Sequence, residues 1–258
     1  MSIRSVVLYP NAKINLGLII KGKRPDGYHL LETVFIPVEH LRDRLEISPL
    51  DHEGVEMTLS GLAVDGPVEA NLCWKAYQLL KTEFPGLPGV RIHLEKHIPL
   101  GAGLGGGSSD AAHTLMGLSQ LFALDISLER LAILGAELGA DVPFFLYNKP
   151  LFAKGIGTEF EPIDLDWKFE IRLVFSPIHS STPAAYKNLP LNSLNLNRDL
   201  QKILSIPIAD WKDNLPNDLE LPVFEQYPEL NETKEQLYRE GAVYAAMSGS
   251  GSAVYGLF

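Results

Sequence analysis

Five of the seven residues from Gly101 to Gly107 are glycine, and Ser108, Ser109 and Asp110 follow directly. Glycine lets a chain turn tightly and bring its amides close to a ligand, and a helix N-terminus adds unpaired N–H donors with a partial positive charge. The chemistry this predicts is phosphate binding. Ala111, Leu115, Leu118 and Phe122 recur at helical spacing behind the loop, and Ser108, Ser109 and Asp110 suit a cap or first turn. No Lys-Ser or Lys-Thr pair follows the glycines, so this is not the P-loop. Gly101-Ala-Gly103-Leu-Gly105-Gly106 satisfies G-x-G-x-x-G, but the preceding strand is amphipathic rather than a continuous apolar run, against a dinucleotide fold.

Two further residues fit the same chemistry. Asp141 lies between Gly139 and the apolar run from Val142 to Leu146, where an unpaired carboxylate is expensive to bury. It is either a turn aspartate bonded to nearby amides or a functional group with a partner. Lys13 shares a strand face with Asn15. A carboxylate to orient or deprotonate a hydroxyl, and a cation to stabilise transferring charge, are what phosphoryl transfer requires.

Lys96 breaks its local pattern: Val90, Ile92, Leu94 and Ile98 share its strand face. It either snorkels from the strand end to water or reaches a nucleotide at the adjoining loop. Tyr28 and His29 follow the turn Arg24-Pro25-Asp26-Gly27, from which side chains either pack or project into a cleft. Gly249 and Gly251 form either a hairpin turn or a second anion nest.

The elements that must hold these residues are legible from period and punctuation. Strands are expected over 6–20, 30–38, 44–47, 55–59, 90–98, 142–147, 151–152, 171–175 and 253–258. Helices are expected over 71–82, behind the loop, from Ser127 to about Leu138 with Gly139 ending it left-handed, around 198–204, and over 232–240. Residues 188–222, rich in Asn, Pro and Asp, suggest irregular connections. The class is α+β in two domains, 1–155 and 156–258.

Composition limits the partners. A net charge of -10 argues against nucleic acid and anionic membranes, which require a basic face. The opening MSIRSVVLYP lacks the apolar core of a signal peptide, and no stretch approaches the ~20 apolar residues of a membrane span, so a cytoplasmic protein is expected. Cys73 is the single cysteine, which excludes an internal disulfide and any multi-cysteine metal site.

Three blocks in order resemble the GHMP small-molecule kinases: Pro10-Asn-Ala-Lys13-Ile-Asn15-Leu, Pro99 to Ser109, and Met247-Ser-Gly-Ser-Gly-Ser252. Four more stretches, Arg24 to Thr33, the elongated GLGGGSSDAA loop, Gly139 to Phe144 and Asn217 to Glu220, resemble the members acting on a cytidine-diphosphate derivative of methylerythritol in isoprenoid-precursor synthesis. The resemblance implies an N-terminal domain like domain 2 of ribosomal protein S5, a ferredoxin-like C-terminal domain, and an active site between them. It implies ATP, with Mg2+, as cosubstrate, and transfer of the γ-phosphate to the 2-hydroxyl of that substrate. Asp141 and Lys13 match the catalytic pair. Asn71, Lys96, Pro99, Leu100, Gly101, Ala102, Gly103, Leu104, Gly105, Gly106, Gly107, Ser108 and Ser109 match the ATP side. Tyr28, His29 and Tyr186 match the cytidine pocket, and Asn15 and Thr182 match groups near the polyol and phosphates. Other superfamily members read GLGSSAA; here Gly106 and Gly107 stand where those serines do, so no protein metal ligand is assigned. Mg2+ is expected on the nucleotide phosphates and water. A monomer or weak homodimer is expected. Another GHMP alcohol kinase, and a noncatalytic nucleotide-binding regulator, are the alternatives; retained Lys13 and Asp141 argue against the second.

Overall fold

Residues Val90–Lys96 alternate along the chain, and the computed structural model, which describes residues 5–165 and 169–258, buries Val90, Ile92 and Leu94 on one face of a sheet. The chain runs β1 (Val6–Leu8), β2 (Asn11–Lys23), β3 (His29–Arg42), β4 (Arg44–Pro49), β5 (Val55–Gly61), α1 (Leu72–Glu83), β6 (Val90–Lys96), α2 (Gly106–Phe122), α3 (Leu128–Leu138) and α4 (Val142–Tyr147). It continues through β7 (Leu151–Lys154), β8 (Glu159–Pro162), β9 (Ile171–Val174), α5 (Thr182–Lys187), α6 (Leu200–Leu204), α7 (Trp211–Asn214), α8 (Glu220–Gln226), α9 (Pro228–Arg239), β10 (Tyr244–Met247) and β11 (Val254–Leu257). Among the described residues no helix is long and apolar enough to cross a membrane.

Packing groups the chain into two units. One comprises the residues up to 12 with 39–100 and 105–149; the other comprises 13–38, 101–104 and the residues from 150 onward. The sequence reading had one cut at 155/156. The packing boundaries instead run through β2, through β3 and through the glycine loop, because long strands carry residues of both groups.

In the first unit the sheet order is β1-β4-β6-β5, antiparallel except for the parallel β5/β6 pair. Helices α1 to α4 pack on one another, and α2 lies against β1 and β4. Gly117 makes that approach possible, since a Cβ there would fall 2.7 Å from Leu8 and 2.8 Å from Ile47. Ser127 caps α3 by accepting from the amide of Arg130 (3.1 Å), as expected. Gly139 does not end α3 left-handed: it is extended, with φ 172° and ψ 150°. The apolar run 142–147 is helix rather than strand; Pro143 sits in its first turn, where a missing N–H removes no helical bond.

In the second unit one sheet is ordered β2-β3-β7-β8 and the other β10-β11-β9. Strand β3 carries Pro37 within it and runs on to Arg42, beyond the expected end at 38. Its pairing with β7 is confined to Thr33–Phe35, so the proline withholds no ladder bond from that neighbour. Leu18, Ile20, Leu31, Val223, Leu237 and Met247 belong to a common core drawn from strands and helices. The 188–222 region, expected to be irregular, is mostly short helices and turns. Asn217 joins it to the rest. Its side-chain amide donates to the carbonyls of Met247 and Gly249 (2.8 Å each) and accepts from the amide of Leu219 (3.0 Å), at 4% exposure.

Removing that side chain strands two buried carbonyls and one N–H. Asn217→Ala is expected to lower unfolding free energy by about 2–4 kcal/mol in urea titrations, at roughly 1 kcal/mol per bond plus desolvation of the groups left behind. A loss below about 0.5 kcal/mol would mean that water replaces the amide fully.

Candidate active site

Helix α2 begins at Gly106, with Gly105 as its N-cap at φ +70° and no side-chain cap bond. Of the two places expected for Ser108 and Ser109, cap or first turn, they take the first turn, because the left-handed cap conformation at Gly105 selects glycine over serine. The first helical bond runs from Ser109 N to Gly105 O (2.9 Å), so the amides of Gly106, Gly107 and Ser108 precede the ladder at the helix N-terminus. Ser109 is fully buried, with its hydroxyl 3.5 Å from His113 Nδ1.

Residues 101–104 are held by the second unit through their carbonyls. Ala102 O accepts from Ala253 N (3.1 Å), Gly103 O from Lys13 Nζ (3.0 Å) and Ser248 Oγ (2.9 Å), and Leu104 O from Lys13 N (3.0 Å). In a trans peptide the N–H points opposite to the C=O, so these bonds turn the amides of Gly103, Leu104 and Gly105 the other way. Ala102 and Leu104 are buried anchors between the glycines. At Gly103 a Cβ would lie 2.0 Å from Ser248 O, and at Gly101 one would lie 2.4 Å from the His179 ring.

Lys13 is 4% exposed; its ammonium donates to Asn15 Oδ1 (2.6 Å) as well as to Gly103 O, and stands 5.0 Å from the centre of the Phe35 ring. The expectation that Lys13 and Asn15 share a face is met. Asn15 in turn donates to Thr33 Oγ1 (3.1 Å), so its amide is fixed by two partners. Asp141 is half-buried at the start of α4, where it makes no side-chain capping bond.

Lys96 neither snorkels nor stands alone. At 1% exposure its ammonium donates to Asp43 Oδ2 and to Asp110 Oδ2 (2.6 Å). Burial pulls the lysine pKa down, and the Asp110 and Asp43 carboxylates outweigh it, leaving the pKa above the ordinary lysine value. Burial pushes the Asp110 carboxyl up to about 8 against the pull of Lys96. Sequence reasoning missed Asp43. The only signal was Lys96 itself, since a lysine on an apolar strand face needs an anionic partner.

Beside this cluster lies a cavity of about 190 Å3 whose polar lining includes Asn71, Lys96, Gly107 and Asp110, with Pro67 and Leu72 among its apolar walls. Asn71 also caps α1, accepting from Cys73 N (2.9 Å). Leu100 lines the same cavity at 43% exposure, next to Pro99. The cavity thus unites Asn71, Lys96, Leu100 and Gly107 of the expected ATP side.

In the second unit Tyr28 is 62% exposed after its turn. His29 stacks on Tyr186 at 5.1 Å and 25°. Burial, then the charge of Lys23, lowers the His29 pKa, which keeps the ring neutral at pH 7. One face of Tyr186 is thereby covered by His29. Thr182 bonds Ser250 through their hydroxyls (2.7 Å), and the 248–252 turn is the hairpin between β10 and β11.

A glycine loop thus opens the helix N-terminus of α2, with the buried Lys96 beside it. Residues 71–149 match the GHMP kinases N terminal domain and residues 197–258 the GHMP kinases C terminal domain. A protein of Azobacteroides pseudotrichonymphae named 4-diphosphocytidyl-2-C-methyl-D-erythritol kinase is 50% identical over 98% of this chain and 93% of its own length. One of the same name from Bacteroides fragilis is 50% identical over 98% and 92%. A crystal structure of 4-(cytidine 5'-diphospho)-2C-methyl-D-erythritol kinase superposes with a TM-score of 0.83 at 36% identity, covering 98% of this chain and 90% of that one. The chain belongs to the GHMP kinases. It is an ATP-dependent small-molecule kinase.

The Asp110 acid yields a test of the cluster. Its folded pKa, about 8, lies above the unfolded carboxyl value, so its favourable contribution is complete at low pH and is lost as pH rises toward 8. Asn does not titrate. The stability of Asp110→Asn relative to the parent is expected to increase from pH 5 to pH 9 in paired thermal melts, and a flat difference would mean that Asp110 is ionised throughout.

Proposed function

We propose that the chain transfers the γ-phosphate of ATP to the 2-hydroxyl of 4-diphosphocytidyl-2-C-methyl-D-erythritol. The observation that carries this reading is the 44–50% identity, over almost the whole chain, to proteins named as that kinase. The purine end of ATP enters the cavity at Asn71, whose 190 Å3 is below the ~300–1,000 Å3 of a site for a whole drug-sized ligand and suits one end of a nucleotide. The triphosphate then runs along the amides of the 101–109 loop, which stabilise the charge that develops on the β- and γ-oxygens.

Asp141 orients the substrate hydroxyl and accepts its proton; the loose transition state of phosphoryl transfer requires positioning more than a strong base. Lys13 supplies positive charge to the transferring group, its ammonium directed by Asn15 and by Gly103 O. Mg2+ would arrive with the triphosphate, held by its oxygens and water, and would supply charge neutralisation there. Ser109, buried beside His113, does not fit a metal ligand, and no step is assigned to the ion. The cytosine stacks on the exposed side of the His29–Tyr186 pair, with Tyr28 beside it, and Thr182 and Asn15 lie toward the polyol and phosphates. Neutral His29 offers one donor and one acceptor to the base edge. The molecule works in the cytoplasm as a monomer or weak homodimer.

Asp141→Asn is expected to bind ATP and substrate normally in calorimetry and to lose roughly 10²-fold or more in kcat. Unchanged turnover with weakened substrate binding would reassign the residue to binding. Tyr186→Ala is expected to raise KM for the cytidine substrate by about 1–3 kcal/mol equivalent, the scale of base–aromatic stacking, while KM for ATP stays constant. Equal rates with homoserine or mevalonate would overturn the cytidine assignment and leave the kinase chemistry standing.

A further inference from the structure

The glycine loop leaves β6 at His97 and Ile98 and enters α2 at Gly106, and both ends meet one side chain that lies far away in sequence. Asp43 stands between β3 and β4, 1% exposed. Its Oδ1 accepts from the amides of His97 (2.5 Å) and Ile98 (2.8 Å), and its Oδ2 accepts from the Lys96 ammonium. Its own amide donates to Pro10 O (2.8 Å), which fixes its backbone.

The helix end is reached through Lys96. The ammonium bonds Asp110 one turn into α2, and a Cβ at Gly106 would lie 3.0 Å from Lys96 Nζ and 2.9 Å from Ile98. Gly106 is thus a glycine for Lys96 and Ile98, whatever it also offers a phosphate. The backbone of Lys96 is clamped as well: its carbonyl accepts from Leu62 N (2.8 Å), and a Cβ at Gly61 would lie 2.2 Å from that oxygen. The contacts made by His97, Ile98, Gly106 and Asp110 at the two ends of the loop converge on the Asp43–Lys96 pair.

We propose that Asp43 is the positioning residue of the nucleotide loop, setting ATP affinity without touching ATP, and that the Lys96 ammonium acts as its strut to α2. The inference rests on the reading of this loop as the phosphate site. A carboxylate with two backbone amides and an ammonium uses its oxygens in a fixed geometry, and loss of one partner leaves the others buried and unpaired. Amides that bind phosphate by position lose affinity when that position drifts by a fraction of an ångström.

The test compares Asp43→Asn with Gly107→Val in the full-length protein. Asn keeps the volume and one oxygen for the amides, but it turns an NH2 toward the Lys96 ammonium. Gly107→Val puts a side chain into the cavity, with only Leu72 near its Cβ (3.7 Å). Well below the unfolding temperature, Asp43→Asn is expected to raise KM for ATP and Kd for ADP about tenfold or more, with KM for the alcohol substrate within twofold. A residue that served stability alone would lower the melting temperature and leave both nucleotide constants unmoved. If Gly107→Val weakens ADP binding while Asp43→Asn stays within twofold of the parent, the positioning inference falls. If Gly107→Val binds ADP normally, the loop reading itself falls, and this inference with it. Should Asp43→Asn fail to fold, hydrogen exchange on the parent protein decides. ADP should slow exchange at His97 and Ile98 together with residues 106–109, and a response confined to 106–109 would overturn the proposal.

Discussion

An ammonium group removed from water has to be surrounded by acceptors, and Lys96 meets that condition with Asp43 on one side and Asp110 on the other. Satisfying one buried cation therefore fixes three pieces of chain at once: the connection between β3 and β4, the end of β6 and the first turns of α2. Removing one partner of a buried pair typically costs about 3–5 kcal/mol, because the remaining charge stays buried. The segments tied to the cluster are held by that penalty. Between the ends of two of them lies the glycine loop.

Held in this way, the loop needs little rigidity of its own. Its carbonyls at 102–104 are bound by Ala253 N, Lys13 and Ser248, and its helix end is fixed through Lys96, so its amides are oriented by the protein's own bonds, as the proposed phosphate role requires. Preorganised donors do not have to reorient as charge develops, which is what makes them effective in phosphoryl transfer. The glycines answer separate demands within this scheme. Gly103 has Ser248 O where a Cβ would be, Gly106 has Lys96 and Ile98, and Gly105 carries the left-handed cap.

Local signals in the sequence were enough for the strands and helices with clean periodicity, including β6 and α2, and for the capped start of α3. They were ambiguous where two local rules competed. Val142–Tyr147 is short and wholly apolar, a pattern that fits a buried strand or a buried helix equally, and Pro143 is the residue that tips it to helix. Ser108 and Ser109 suited either a cap or a first turn, and the left-handed cap at Gly105 put them in the first turn. At the site, Lys96 declared itself by facing inward, whereas Asp43 sits between Arg42 and Arg44 in a stretch that reads as an ordinary charged turn. Its partners are more than 50 residues away, and no local period encodes such a contact. The His29–Tyr186 stack was hidden for the same reason.

The proposed transfer of the γ-phosphate of ATP to a tertiary hydroxyl is read directly by the product's 31P spectrum. Incubation with ATP and 4-diphosphocytidyl-2-C-methyl-D-erythritol should produce ADP and one new phosphomonoester resonance in equal amounts. Because the 2-carbon bears no hydrogen, that resonance should be a singlet, unsplit by any carbinol proton. A new monoester split by carbinol protons would place the phosphate on another hydroxyl, and ADP formed without a new monoester would contradict phosphoryl transfer to this substrate altogether.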